Sequence, residues 1–306
     1  MSISVIFPGQ GSQNIGMGKD LYDNSQMVRE LFEKASDVLQ EDMTKLCFIE
    51  NDKLNKTRYT QPAILLVSYA IYMLIKDKVE RNIKFALGHS LGEFSALCAT
   101  NALDFESAIS LVSVRGKLME EVCKNKNGGM MVVLGLEDSV LEEFCEKKRS
   151  LGLQVWCANY NSDGQIVLGG IKEDLSALEV EIKGLGAKRT LALPINVASH
   201  CPILEDMKSD FKSILSEKLK DNFNFPIISN TNAKPYDTKQ QAIELLSNQL
   251  ILPVQYKQSI TNNNTSIDTF IECGGSVLKG LNKRLTQKPT ISLQTHNDIC
   301  EFLEKD

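Results

Sequence analysis

Short apolar runs closed by turn residues alternate along this chain with stretches whose apolar positions recur every three or four residues, the pattern of strands alternating with helices. Ile3-Ser4-Val5-Ile6-Phe7 ends at Pro8-Gly9 and predicts a first strand. Ile83, Phe85, Ala86 and Leu87 predict a second, which stops at Gly88 before a helix-like stretch over residues 93–99. Ala108, Leu111, Val112, Met119 and Val122 form one stripe of a predicted amphipathic helix over residues 107–122. A polar break follows at Lys124-Asn125-Lys126-Asn127-Gly128-Gly129, and the elements change order. A strand is predicted over 130–136 and a helix over 139–148. Strands over 154–158 and 165–168 flank a turn-rich hexapeptide, residues 159–164. A helix over 173–183 closes at Gly184, and a strand covers 189–193. That order is βαββαβ, the ferredoxin-like unit. From about Ile195 the earlier alternation resumes, with helices expected over 203–219, 242–250 and 274–285 and strands over 226–230 and 269–272.

The expected fold is therefore α/β. Residues 1–124 and 195–306 make a large, α/β-hydrolase-like domain with a mostly parallel sheet. Residues 125–194 make a small ferredoxin-like domain inserted in it. A cleft between two such domains is a natural place for a site.

Composition narrows the function. The chain has 306 residues and 42% hydrophobic content, enough for a large core. Its net charge of −5 carries no broad basic footprint, which argues against nucleic acid and against an anionic membrane surface. The eight cysteines are scattered with no C-x-x-C pair, so neither a disulfide framework nor a cysteine metal site is expected, and a reducing cytoplasm is the expected location. The first strand is too short for a signal peptide or membrane span.

The chemistry concentrates at Gly88-His89-Ser90-Leu91-Gly92. A G-x-S-x-G between a strand and a helix is the context of a nucleophile elbow, in which a sharp turn exposes the serine. The amide of Leu91 then points toward a developing oxyanion. Such a serine needs a base, and the chain has three histidines, His89, His200 and His296. His89 leaves the turn in another direction. His296, near the C-terminus, occupies a place where α/β-hydrolases often keep their base, and Asp268 could serve it as the acid. His200 sits between an extended segment and a helix, at a strand end where α/β folds place chemistry, and is the favoured base. Arg115 falls on the apolar stripe, three residues after Val112 and four before Met119. Spacing leaves two readings open: a structural pair with a buried acid, or a socket for a substrate carboxylate.

These residues stand within a longer series. Phe7-Pro8-Gly9-Gln10-Gly11-Ser12-Gln13, Tyr59-Thr60-Gln61-Pro62-Ala63, Gly88-His89-Ser90-Leu91-Gly92-Glu93, Arg115-Gly116, Gly128-Gly129-Met130, Ser199-His200-Cys201 and Gln249 with Pro253-Val254 follow one another nearly end to end. In that order they resemble the malonyl-CoA:acyl carrier protein transacylase family. The resemblance implies acyl transfer from malonyl-CoA to the phosphopantetheine thiol of acyl carrier protein by a ping-pong route, with no tightly bound cofactor, no metal, and a monomeric enzyme. It implies Ser90 as the acylated nucleophile, His200 as general base and acid, and Arg115 as the malonyl carboxylate clamp. Gln10 and Leu91 would supply oxyanion-hole amides, and the Gln249 carbonyl would orient the histidine in place of an acid. Gln61 would line the pocket, and Asn159 and Asn161 would face it. Docking an acidic carrier would need a local basic patch, for which Lys279, Lys283, Arg284 and Lys288, or Lys117, Lys124 and Lys126, are candidates. The series departs from the family at Glu272-Cys273-Gly274-Gly275-Ser276, where Gly-Pro-Gly is common, and at Asp163-Gly164, where a proline usually precedes the glycine.

Overall fold

The computed structural model describes residues 1–305 and contains two sheets. The larger is built from β1 (Ile3–Phe7), β2 (Ile83–Gly88), β7 (Ile227–Ile228), β8 (Pro235–Tyr236), β9 (Thr269–Cys273) and β10 (Thr290–Leu293), in the order β10-β9-β1-β2-β7-β8. All its pairings are parallel except the short edge pair β7–β8. Every residue of β1 and β9 is buried, as a parallel sheet covered on both faces requires.

The second sheet comprises β3 (Gly128–Leu134), β4 (Val155–Ser162), β5 (Gln165–Ile171) and β6 (Arg189–Ala192), ordered β4-β5-β3-β6 with every pairing antiparallel. Helices Asp138–Ser150 and Lys172–Gly184 complete its βαββαβ order, and Leu141, Phe144, Cys145, Leu175, Leu178 and Ile182 pack from them into its core. That core is separate from the one around β1 and β2.

The elements depart from the sequence expectation where tertiary contacts outweigh local signals. Residues 159–164 are not one long turn. β4 runs through Ser162 and β5 begins at Gln165, so the reversal takes only Asp163 and Gly164. Asn159 is held in strand geometry by pairing to Val167 of β5 and Asn161 sits at a register shift between Tyr160 and Ser162, while the amide of Tyr160 donates to the Val254 carbonyl. The expected break at 124–129 is equally short. Helix Phe105–Lys126 reaches β3 through Asn127 alone, in the left-handed region at φ 48°. The predicted strand at 226–230 shrinks to Ile227–Ile228 because it meets the two-residue β8 at the sheet edge. The helix expected over 274–285 is confined to Val277–Asn282. Residues 203–219 divide into a 3₁₀ turn, Pro202–Met207, and helix Lys208–Lys218.

Among the described residues no helix is long and apolar enough to cross a membrane. All eight cysteines are free thiols, six of them buried.

Candidate active site

The site forms where β1 and β2 end, facing β3, β4 and β5 across a cavity of about 290 Å³. Gln10, Gln61, His89, Ser90, Leu91, Arg115 and His200 line it on one side, and Met130, Val132, Asn159, Asn161 and Val167 on the other.

Ser90 follows β2 in the left-handed region, at φ 53°. A non-glycine residue there stores strain, which persists when its surroundings fix it. Glycines make the turn possible by close approach. A Cβ on Gly92 would lie 2.0 Å from the Phe7 carbonyl oxygen, and one on Gly88 would lie 1.8 Å from the Gly92 carbonyl carbon. Asn230 clips the turn shut: its Oδ1 accepts from the Ser90 amide at 2.6 Å, and its Nδ2 donates to the Gly88 carbonyl at 2.6 Å. The amides of Gln10 and Leu91, both lining the cavity, donate to no protein acceptor among the described residues.

His200 is 110 positions from Ser90 in the chain, and its Nε2 lies 2.7 Å from Ser90 Oγ. The other ring nitrogen, Nδ1, lies 2.6 Å from the Gln249 carbonyl oxygen. A carbonyl can only accept, so Nδ1 carries the proton and Nε2 is free to accept from the serine. The carbonyl is available because Gln249 ends helix Lys239–Gln249, where the last carbonyls lack an intrahelical donor. Among the described residues no acid completes a triad. Burial and the nearby Arg115 charge hold the His200 imidazolium down to about 3, against the pull of the Gln249 carbonyl. His200 is itself left-handed, at φ 59°.

Arg115 is 1% exposed. Of the two readings left open by its spacing, the buried ion pair is absent: no carboxylate lies within 4.0 Å of it among the described residues. Two neutral amides hold it instead. Nη1 donates to Gln61 Oε1 at 2.8 Å, and Nη2 donates to Gln249 Oε1 at 3.0 Å. Nη2 also lies 3.4 Å from Ser90 Oγ, and the guanidinium sits over the Phe94 ring, 5.2 Å from its centroid. Its Nε has no hydrogen-bond partner among the described residues. Burial lowers its affinity for its proton, to about 10, so it stays a cation at neutral pH. A buried cation bonded only to neutral groups and open to a cavity suits an anionic substrate group.

Asn161 is buried, and its Oδ1 lies 2.7 Å from His89 Nε2. Burial depresses the His89 imidazolium, so the neutral ring donates to the amide oxygen and leaves the Asn161 NH₂ for the cavity. His89 is thus a support for Asn161 and makes no contact with the Ser90 hydroxyl. His296 and Asp268 do not join the site. The His296 amide donates to Asp20, its ring lies 3.7 Å from Cys300 Sγ, and Asp268 accepts from the Ser2 amide. Among the candidate basic residues, Lys126 pairs with Asp206 at 2.5 Å, whereas Lys283, Arg284 and Lys288 line a separate hollow with Asn264.

Two residues that sequence reasoning gave no role complete the network. Asn230 was visible only as the end of a short strand. Glu93 follows the elbow on helix Gly92–Ala99, every residue of which is buried. A lone acid on a fully buried helix is the signal that could have singled it out.

A serine–imidazole pair at the end of a parallel strand, with donor amides beside it and a buried cation opposite, is an arrangement that suits acyl transfer. The comparisons agree. The acyl transferase domain family matches residues 5–284. Malonyl CoA-acyl carrier protein transacylase of Staphylococcus aureus (strain MRSA252) is 35% identical over 99% of both chains. The crystal structure of the malonyl-CoA:acyl carrier protein transacylase from Helicobacter pylori superposes with a TM-score of 0.95 at 50% identity, over 99% of this chain and 98% of that one. A malonyl-transacylase solved in complex with its type II polyketide acyl-carrier protein superposes at 0.94, with 33% identity over the whole of both chains. This chain belongs to the acyl transferase domain family, among its malonyl CoA-acyl carrier protein transacylases.

Proposed function

We propose that the protein transfers a malonyl group from malonyl-CoA to the phosphopantetheine thiol of acyl carrier protein through a malonyl ester of Ser90. The observation that carries this reading is the convergence on one hydroxyl of His200 Nε2 at 2.7 Å and, at 3.4 Å, an Arg115 guanidinium with no directly bonded carboxylate among the described residues. His200 takes the Ser90 proton as the oxygen attacks the thioester carbonyl. The Gln10 and Leu91 amides receive the oxyanion, and loss of one such donor costs roughly 3–4 kcal/mol of barrier. The proton leaves with the CoA thiol. The carrier thiol then enters, gives its proton to His200 and reverses the steps. Arg115, held by Gln61 and Gln249, grips the malonyl carboxylate and fixes the carbonyl in the hole, an orientation effect. The Gln249 carbonyl keeps His200 in the accepting tautomer. Asn161 adds a donor from the opposite wall.

The wider reading follows. Residues 1–124 and 195–306 act as a hydrolase-like catalytic domain. Residues 125–194 act as a ferredoxin-like cover, a reading supported by the βαββαβ order and the β4-β5-β3-β6 sheet. The enzyme works as a cytoplasmic monomer with malonyl-CoA and holo carrier protein as its partners, without a tightly bound cofactor. The carrier partner is supported by the relative solved with its acyl-carrier protein.

Intact-mass analysis after mixing with malonyl-, methylmalonyl- and acetyl-CoA tests the assignment. A malonyl adduct on Ser90 that moves to holo carrier protein is expected. Prompt release as free malonate, with carrier protein ignored, would overturn it.

A further inference from the structure

Glu93 is 1% exposed, and its carboxylate takes three hydrogen bonds. Oε1 accepts from the Tyr236 hydroxyl at 3.0 Å, and Oε2 accepts from Gln249 Nε2 at 2.7 Å and from the Asn230 amide at 3.2 Å. It has no direct ion pair among the described residues, and neither has Arg115. One side chain separates them. The amide of Gln249 donates to Glu93 from its nitrogen and accepts from Arg115 at its oxygen. A single primary amide thus stands between a buried anion and a buried cation, its dipole aligned with both charges. The same amide nitrogen reaches the Ser90 carbonyl at 3.1 Å.

We propose that Glu93, acting through Gln249, is the counter-anion of Arg115 in the unloaded site, and that it gives up this role by taking one proton from solvent when the malonyl carboxylate arrives. The inference rests on Arg115 being the carboxylate clamp. The physical reason is charge count. With the substrate bound, one buried cation would face two buried anions, and like charges sharing a low-dielectric site cannot both stay ionised. Glu93 is the one poised to change, because burial already raises its proton affinity, to about 7. The other charged or titratable groups facing it are Arg115, whose charge opposes the rise, and Tyr236, which stays neutral because burial and Glu93 itself raise it far above 10. His200, reached only through Gln249, stays neutral. An acetyl group brings no second anion and makes no such demand. Glu93 is therefore a specificity-determining residue that ties malonyl binding to pH.

The test compares wild type, Glu93→Gln and Arg115→Ala with malonyl-CoA and acetyl-CoA between pH 6 and 8.5. The Glu93→Gln change keeps an acceptor for Gln249 and Asn230 and only reverses the bond to the Tyr236 hydroxyl. In wild type the KM for malonyl-CoA is expected to rise on the order of tenfold across that range, about one pKa unit of coupling, while the KM for acetyl-CoA does not. In Glu93→Gln the malonyl slope disappears, and any change in the acetyl KM is by one factor at every pH. A malonyl slope that survives the substitution overturns the proposal. So does an equal loss of kcat for both substrates with the slope intact, the mark of a purely structural role. Wild type alone gives a second readout. Single-turnover loading in weak buffer at pH 7.5 with a pH indicator should take up about half a proton more per site with malonyl-CoA than with acetyl-CoA, as a rise of about one unit from about 7 requires, since release of the CoA thiol is common to both. Equal uptake overturns the proposal. Arg115→Ala separates the premise: if it leaves malonyl preference unchanged, the clamp reading fails, independently of Glu93.

Discussion

The two walls of the cavity are chemically unlike. The wall at the ends of β1 and β2 carries the buried charges, Arg115 and Glu93, and the hydrogen-bonded pair Ser90 and His200. The wall from β3, β4 and β5 is neutral, with Met130, Val132, Val167, Asn159 and Asn161. Parallel strands deliver their ends together beside helix termini, whose unpaired carbonyls and amides orient reacting groups at no cost in mobility. The antiparallel sheet presents its face, and a face supplies shape, dryness and a few polar contacts. In the proposed mechanism the contrast gives bond making to one wall and substrate fit to the other.

Breaking the first wall should have the larger effects. Ser90→Ala removes the nucleophile, so turnover should fall on the order of 10⁴-fold or more, with no malonyl adduct in the intact mass. An adduct on the variant would place the chemistry elsewhere. Arg115→Ala should lower malonyl kcat/KM about 100-fold, as expected for a lost charged, bidentate contact, and leave acetyl transfer equal or higher. Equal loss of both would make Arg115 a structural residue.

The second wall should respond more gently. Asn161→Ala should reduce malonyl kcat/KM by about tenfold, within the range for one polar contact, mostly through KM. A loss as deep as that of Ser90→Ala would erase the division between the walls. The smallest effect is a pH profile that stays flat. Protonated His200 cannot act as a base, so activity is lost below its pKa, and holding that value to about 3 moves the loss far below 6.5. Acetyl-CoA kcat/KM should therefore show no acid limb centred near 6.5 between pH 5 and 8. A limb there would mean that the imidazole titrates as if in water.

Much of the first wall was legible because its geometry is local. Gly88 and Gly92 announce the elbow, since no larger residue fits beside Phe7 and the turn. Arg115 was visible as a charge on an apolar helical stripe. The second wall was read less well. Asn159 and Asn161 resemble turn residues in sequence, yet cross-strand pairing to β5 and the bond to Val254 extend β4 through them. Propensity yielded to partners far away in the chain.

Periodicity and glycine spacing by themselves determined the two alternating patterns, the elbow, and the misplaced arginine, because each depends on neighbours within a few residues. The motif series pointed to His200 and to the Gln249 carbonyl, but only the tertiary structure brought His200 to Ser90 and the Gln249 carbonyl to His200, and joined Arg115 to Glu93 through one amide. Those are meetings between segments 49 to 156 positions apart, set by how the sheet brings its strand ends together. No local pattern encodes such distances.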